Sequence, residues 1–393
     1  MSNPFRVEMF GPLSVFAAGF LDDLLRRGYR PGTAAKQLQA MSHLSRWMAE
    51  RDVESSDLTK PVLEEFACDR RACGWTHVVS LKGLGPLIDY LRRAGLVTAG
   101  APGAPVGQSA QLLDRYANYL LDRRGMAGTS VRNYVDIARV FLDERQRSRG
   151  HLALDELDAA AINEFVLNEA RRRKVGGTQC VVYRLRSLLR FLYLDGALPR
   201  DLTGAVPRPA SWRNASLVKA LDADTVARLL GSCDPGTTVG WRDLAVLILL
   251  SRLGLRAGEV AAIQLHDIDW RAGEVMVRGK GSRHEQLPLP VDVGEALADW
   301  LKDGRPWCDH ELVFTRVRAP HSGLTPTGIA AIVHAACIRA QLPEIGPHRL
   351  RHTAATEMLR AGASLSDVGQ VLRHRHADTT SIYAKVDRRC ATS

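Results

Sequence analysis

The chain reads as a mainly α protein with one small antiparallel β-sheet in a C-terminal α+β domain, and three observations predict that class. Apolar residues recur at the 3.6-residue spacing of amphipathic helices through residues 12–97 and again through 110–200. Short strand-like runs separated by glycine turns are confined to residues 264–290. Helical spacing then returns and continues to Leu372.

At 393 residues the chain exceeds what one ordinary core holds. Its punctuation divides it into a helical domain over 1–100, a second over 105–205 and a C-terminal domain over 215–393. The boundaries are AGAPGAPVG (99–107), a glycine- and proline-rich linker, and PRDLTGAVPRPASWRNASLV (199–218), an interdomain strap.

In the first domain the spacing predicts helices over Leu13 to Arg27, Gly32 to Arg51, Lys60 to Arg71 and Thr76 to Ala94. The second repeats this plan about one hundred residues later. Arg27-Gly28 with Gly32-Thr33 matches Arg124-Gly125 with Gly128-Thr129, and Tyr90 to Leu96 resembles Tyr193 to Leu198, as expected of an internal duplication. Its helices are expected over Gly128 to Arg145, Asp155 to Arg173 and Thr178 to Tyr193. Arg171-Arg172-Arg173-Lys174 is a basic run before a flexible Gly176-Gly177 turn, suited to tracking a phosphate backbone, and Arg184 and Arg186 follow on the next helix. The competing reading is a solvated helix end whose cations offset the macrodipole.

In the C-terminal domain Asp222 is placed to cap a helix through Leu230, and Trp241 to Arg252 reads as a buried helix. Leu253-Gly254-Leu255-Arg256-Ala257-Gly258-Glu259 follows, its glycine permitting close backbone approach. Strand-like runs cover Gln264 to Trp270, Glu274 to Arg278 and Arg283 to Pro290, with Gly279-Lys280-Gly281-Ser282 as a turn. Helices are expected over Val291 to Lys302 and Thr325 to Ala340, with a buried extended piece, Glu311 to Thr315, between them.

The most informative stretch is 346–387. Pro347 suits the first position of a helix whose apolar stripe is Leu350, Ala354, Ala355, Met358 and Leu359. His348 and Arg351 therefore project together, an acid/base group beside a fixed cation. Gly362 ends that helix, Ser364 and Asp367 form a capping box for the next, and His374 follows. Tyr383 rides a short terminal segment that Asp378 can cap. His348 and His352 also stand at zinc-ligand spacing, but Arg349 and Arg351 crowd the pair with positive charge, so no metal is expected.

Composition narrows the class. Hydrophobic residues at 46% and charged residues at 24% are ordinary for a globular protein, and no run approaches the roughly 18 apolar residues of a membrane span. The first residues lack a basic head and apolar segment, so a cytoplasmic location is expected. Seven cysteines lie scattered without metal spacing. The net charge of +10, rich in arginine and densest in the middle domain, favours a polyanionic partner.

The order Arg256, His348-x-x-Arg351, His374 and Tyr383 resembles the signature of the tyrosine recombinase (phage integrase) family. The resemblance covers 220–388 strongly and 110–200 as a core-binding, SAM-like domain. It implies helical DNA-binding domains in front of an α+β catalytic domain, with Lys280 in the β2–β3 turn as a catalytic lysine. Arg256 and Arg351 would bind the non-bridging oxygens, His348 would take the phenolic proton, Lys280 would protonate the leaving 5′ oxygen, and His374 would hydrogen bond the phosphate. Glu259 would orient the cations. Tyr383 would attack phosphorus, giving a 3′-phosphotyrosyl intermediate with neither metal nor ATP and no other cofactor. The implied partners are double-stranded DNA and a homo- or hetero-tetramer on two sites. A transposon-type integrase serving a mobile element fits best. The rivals are a catalytically inactive DNA-binding regulator of the same fold and a type IB topoisomerase. The duplicated helical front disfavours the topoisomerase, and chemically competent residues at all six positions disfavour the regulator. Two departures stand out: Arg373 occupies the usual glycine before His374, where it would crowd the turn or contact phosphate, and Lys385 stands where a histidine often follows the tyrosine.

Overall fold

The computed structural model of the chain describes residues 7–74, 83–96, 107–173, 175–207, 220–279 and 284–373. It is mostly helical with one three-stranded sheet. The chain divides into two compact units, one comprising Met1–Val97 with Asn214–Ser393 and the other Thr98–Arg213.

The first unit opens with helices α1 (Ala17–Arg26), α2 (Pro31–Ala49), α3 (Lys60–Ala72) and α4 (Gly85–Arg93). Leu38, Met41, Leu44 and Met48 of α2 form the stripe that the periodicity predicts, and they close on Phe20, Leu24 and Leu87. Asp23, buried in this core at 5% exposure, accepts two 2.7 Å hydrogen bonds from the Arg93 guanidinium. A bidentate pair of this kind makes a buried carboxylate tolerable.

The second unit consists of α5 (Gln108–Asn118), α6 (Gly128–Arg149), α7 (Ala159–Arg172) and α8 (Val175–Leu194) around its own core, with Phe141 and Phe165 edge to face at 5.0 Å. The turns matched by sequence adopt matching backbones. Gly95 and Gly196 lie at φ +76° and +78°, and the amides of Leu96 and Ala197 donate to the carbonyls of Leu91 and Leu192, both at 2.9 Å. These are left-handed helix ends in which glycine relieves the Cβ clash. One expectation fails here: Gly176 and Gly177 form no turn, because α8 already starts at Val175. In its first turn the amides need no intrahelical partner, so glycine there is tolerated.

The C-terminal part of the first unit contains α9 (Ala223–Gly231), α10 (Thr238–Arg252), α11 (Ala257–Ala262), α12 (Val291–Asp299), α13 (Pro326–Arg339), α14 (Pro347–Arg360) and α15 (Leu365–Val371). The strands β1 (Ile268–Asp269), β2 (Glu274–Arg278) and β3 (His284–Pro288) pair antiparallel in that order, with Val275 opposite Leu287. α10 is buried on nearly every side, as its apolar run requires, and Trp300 closes the core by donating from Nε1 to the Val313 carbonyl at 2.9 Å. The Asp222 cap is present, its Oδ1 accepting from the Thr225 amide at 2.7 Å, and so is the Ser364–Asp367 capping box.

The first strand is shorter than expected. Asp267 Oδ2 accepts from the Gln264 amide at 2.8 Å, and that side-chain bond winds Leu265–Asp267 into a helical turn instead of a ladder. No helix among the described residues is long and apolar enough to cross a membrane.

Between α10 and α11 the chain turns at Gly254, φ +58°. A Cβ there would lie 2.7 Å from Leu372 Cδ2 and 3.4 Å from Ala354 Cβ. The loop can therefore press against α14 and the end of α15 only because residue 254 has no side chain. Gly254→Ala is expected to lower unfolding stability by about 1–3 kcal/mol, from left-handed strain and overpacking together. An unchanged urea midpoint with an unchanged slope would contradict this account of the turn.

Candidate active site

The site is built where three segments far apart in sequence meet: the α10–α11 turn, the first turn of α14, and the end of α15. Arg256 is the N-cap residue of α11, and Glu259 stands three residues on, in the first turn. Glu259 Oε2 accepts from the Arg256 amide at 2.8 Å and Oε1 from its Nη1 at 2.5 Å. The carboxylate is 5% exposed, whereas the Arg256 side chain is 42% exposed. The pair thus presents a cation outward from an anion held inside.

Pro347 does occupy the first turn of α14, and Leu350, Ala354 and Ala355 bury its apolar side. Arg351 lies one turn into the helix and is 1% exposed. Its Nη1 donates to the Gly254 carbonyl at 2.6 Å, its Nη2 donates to the Leu372 carbonyl, and Nη1 lies 4.0 Å from Glu259 Oε2. The guanidinium expected to face phosphate therefore also ties the arginine turn and the end of α15 to α14.

A third guanidinium completes the cluster. Arg373 Nη2 donates to Glu259 Oε2 at 2.7 Å, and the Arg373 carbonyl faces Arg256 Nη2 at 3.4 Å. Burial pushes the Glu259 carboxyl up, but the Arg256 amide bond and the charges of Arg373 and Arg256 outweigh it and hold the group below the ordinary carboxylate range. Glu259 is consequently an anion, and three arginines surround it.

Comparison with known proteins decides the family. Residues 219–389 match the model of the phage integrase family. A Sinorhizobium fredii relative whose name carries the words integrase/recombinase (y4rA) is 36% identical over 384 residues, covering 96% of this chain and 92% of that protein. The chain is a tyrosine recombinase of the phage integrase family. The tyrosine recombinase XerD of Listeria innocua is 30% identical over 285 residues, 70% of this chain and 94% of that protein. Among solved structures, a lambda integrase dimer bound to a COC′ core site covers 70% of this chain at TM-score 0.55 and 18% identity. The Tn1549 transposon integrase in complex with circular intermediate DNA covers 72% at TM-score 0.53 and 16% identity, a likeness of fold.

In this recombinase the structure brings together Arg256, Glu259, Arg351 and His348. Lys280, His374 and Tyr383, with Lys174 and the Asp378 cap, lie outside the described residues. Among the described residues no group of three histidine, cysteine or acidic side chains could hold a metal ion. The rings of His348 and His352 meet edge to face at 4.4 Å.

The basic run of the second unit is partly occupied. Arg172 and Arg173 pair with Glu169, which is only 2% exposed, at 3.4 and 2.7 Å. Arg186 donates to the Val206 carbonyl at 2.8 Å, and the Arg184 guanidinium lies 5.9 Å from the centre of the Tyr134 ring. Arg171 is exposed and has no ion-pair partner among the described residues.

Arg373 stands in the turn after α15 with the left-handed backbone that the expected crowding implies. Sequence reasoning did not foresee its inward pairing with Glu259, because a 114-residue separation leaves no local signal.

His348 keeps solvent exposure, yet the protein around it and the charges of Arg351 and Arg256 hold its imidazole below 6.5, so it is neutral at pH 7. The unfolded chain takes up this proton first, so the His348 contribution to stability falls as pH drops below 6.5. A histidine titration followed by NMR is expected to place His348 under 6.5, and a midpoint above that value would contradict the electrostatic account.

Proposed function

We propose that this recombinase cuts one DNA strand at a time by attack of the Tyr383 phenol on a phosphodiester, leaving a 3′-phosphotyrosyl link and a free 5′ hydroxyl. A hydroxyl from another strand then attacks the link and releases the tyrosine. Each step exchanges one phosphoester for another, so no external energy source is needed.

The observation that carries this reading is the assembly of three guanidiniums on one buried carboxylate beside a neutral histidine. A phosphodiester resists attack because its anionic oxygens repel the nucleophile, and negative charge grows on them in the transition state. Preorganised donors aimed at that charge are worth most in a water-poor pocket. Arg256 is the arginine that solvent, and so a phosphate, can reach. Arg351 adds its field from beneath, and exchange of its Leu372 bond would free a second donor for the other oxygen. With an ordinary pKa near ~10, phenol needs a base, and His348 is held in the form that accepts a proton. Lys280 is assigned to the departing 5′ oxygen, and His374 to the phosphate.

The partner in this reading is double-stranded DNA, engaged by a tetramer on two sites. A solved structure of a lambda integrase tetramer bound to a Holliday junction has the same fold, at TM-score 0.54. The integrase names of the y4rA relative and of the transposon enzyme support service to a mobile element. Three modules over 1–100, 105–205 and 215–393 fit this use, with Arg171, Arg172, Arg173, Lys174, Arg184 and Arg186 on the DNA side of the middle one.

Tyr383→Phe is expected to bind target DNA at wild-type affinity yet form no covalent adduct with a nicked duplex in a denaturing gel; persistent adduct would remove Tyr383 from the role. Arg256→Ala should slow adduct formation by about 10²–10⁴ with little change in affinity. A loss confined to affinity would make Arg256 a binding group only. Arg171→Ala should reduce the salt dependence of DNA binding by about one counterion, whereas Arg173→Ala should chiefly lower stability by removing the nearer of the two cations that pair with Glu169. The reverse pattern would exchange their roles.

A further inference from the structure

The position before His374 has a backbone that calls for glycine. Arg373 sits at φ +55°, the left-handed region, where any side chain brings its Cβ close to the following carbonyl at a cost of about 1–2 kcal/mol. Arginine stands there nonetheless, and its side chain is 5% exposed. Nη2 donates to Glu259 Oε2 at 2.7 Å and Nη1 to the Val371 carbonyl at 3.0 Å. Nε is buried without a hydrogen-bond partner among the described residues. The strain is a cost that a glycine would not incur, and the guanidinium returns contacts that glycine cannot make.

What it returns follows from the division of Glu259. Arg373 shares Oε2 with the Arg256 amide, leaving Oε1 to the Arg256 guanidinium, and the Arg373 carbonyl faces the other Nη of that same guanidinium. We infer that Arg373 is a positioning residue of the cleavage site: it clamps the Glu259 carboxylate and, through it, aims the Arg256 guanidinium at the scissile phosphate. This deepens the cleavage mechanism proposed above and rests on the role given there to Arg256.

Among the described residues, the charged groups facing Glu259 are Arg256 from its own helix, Arg351 from α14 and Arg373 from beyond α15. Ionised Glu259 holds Arg256 through charge-assisted hydrogen bonds that protonation would weaken. Arg373 helps to keep it ionised, so removing Arg373 raises the Glu259 pKa.

The test uses the full-length protein with Arg373→Gly, which suits the backbone, and Arg373→Lys, which returns a charge. On a nicked duplex, Arg373→Gly should form adduct about 10- to 100-fold more slowly at unchanged DNA affinity. Arg373→Lys should recover part of the rate. A wild-type rate in Arg373→Gly, or no recovery of rate in Arg373→Lys, overturns the proposal. Absence of adduct from the wild-type protein would instead overturn the cleavage mechanism. The clamp is then decided by urea unfolding of Arg373→Gly, Glu259→Gln and the double variant: non-additive effects support the link, and additive effects overturn it.

Discussion

The geometry of the catalytic domain turns on one buried anion. Glu259 lies at 5% exposure with guanidiniums from three segments around it, two of them in direct hydrogen bonds and Arg351 at 4.0 Å. A carboxylate so placed would be costly alone, and three buried or half-buried arginines without it would repel one another. Each sign makes the other tolerable. The α10–α11 turn, the head of α14 and the end of α15 therefore meet in one arrangement, and Gly254 provides the space in which they do so.

This arrangement makes architecture and chemistry share the same atoms. Arg351, at 1% exposure, spends two of its donors on the carbonyls of Gly254 and Leu372, so its charge is fixed by the fold before any phosphate arrives. Preorganisation of this kind removes the reorganisation that water would otherwise require when charge develops. Burial, with the charges of Arg351 and Arg256 added to it, keeps His348 neutral, so the electrostatics of the cluster reach that imidazole as well.

The helical units obey a related rule at lower stakes. Glu169 in the second unit and Asp23 in the first are buried acids, each answered by two arginines. The positive charge counted along a sequence thus overstates what a polyanion meets. Arg172 and Arg173 are partly committed to Glu169, while Arg171 is not.

Much of this protein was legible from its residues in order. The helices, their caps at Asp222 and Ser364, the buried α10, the strands β2 and β3, and the neighbourhood of His348 and Arg351 all follow from local periodicity and capping chemistry, which act within a few residues. The family was legible too, because its motif keeps a fixed order. Local rules fell short where a side chain competed with the backbone, as Asp267 does at the first strand, and where a glycine pair sat inside a helix rather than before it. The destination of Arg373 was decided by tertiary structure alone. Nothing near it in the chain calls for a partner, and the carboxylate that receives it lies 114 residues away. Long-range pairing of buried charge depends on which segments the core brings together, and only the folded chain contains that information.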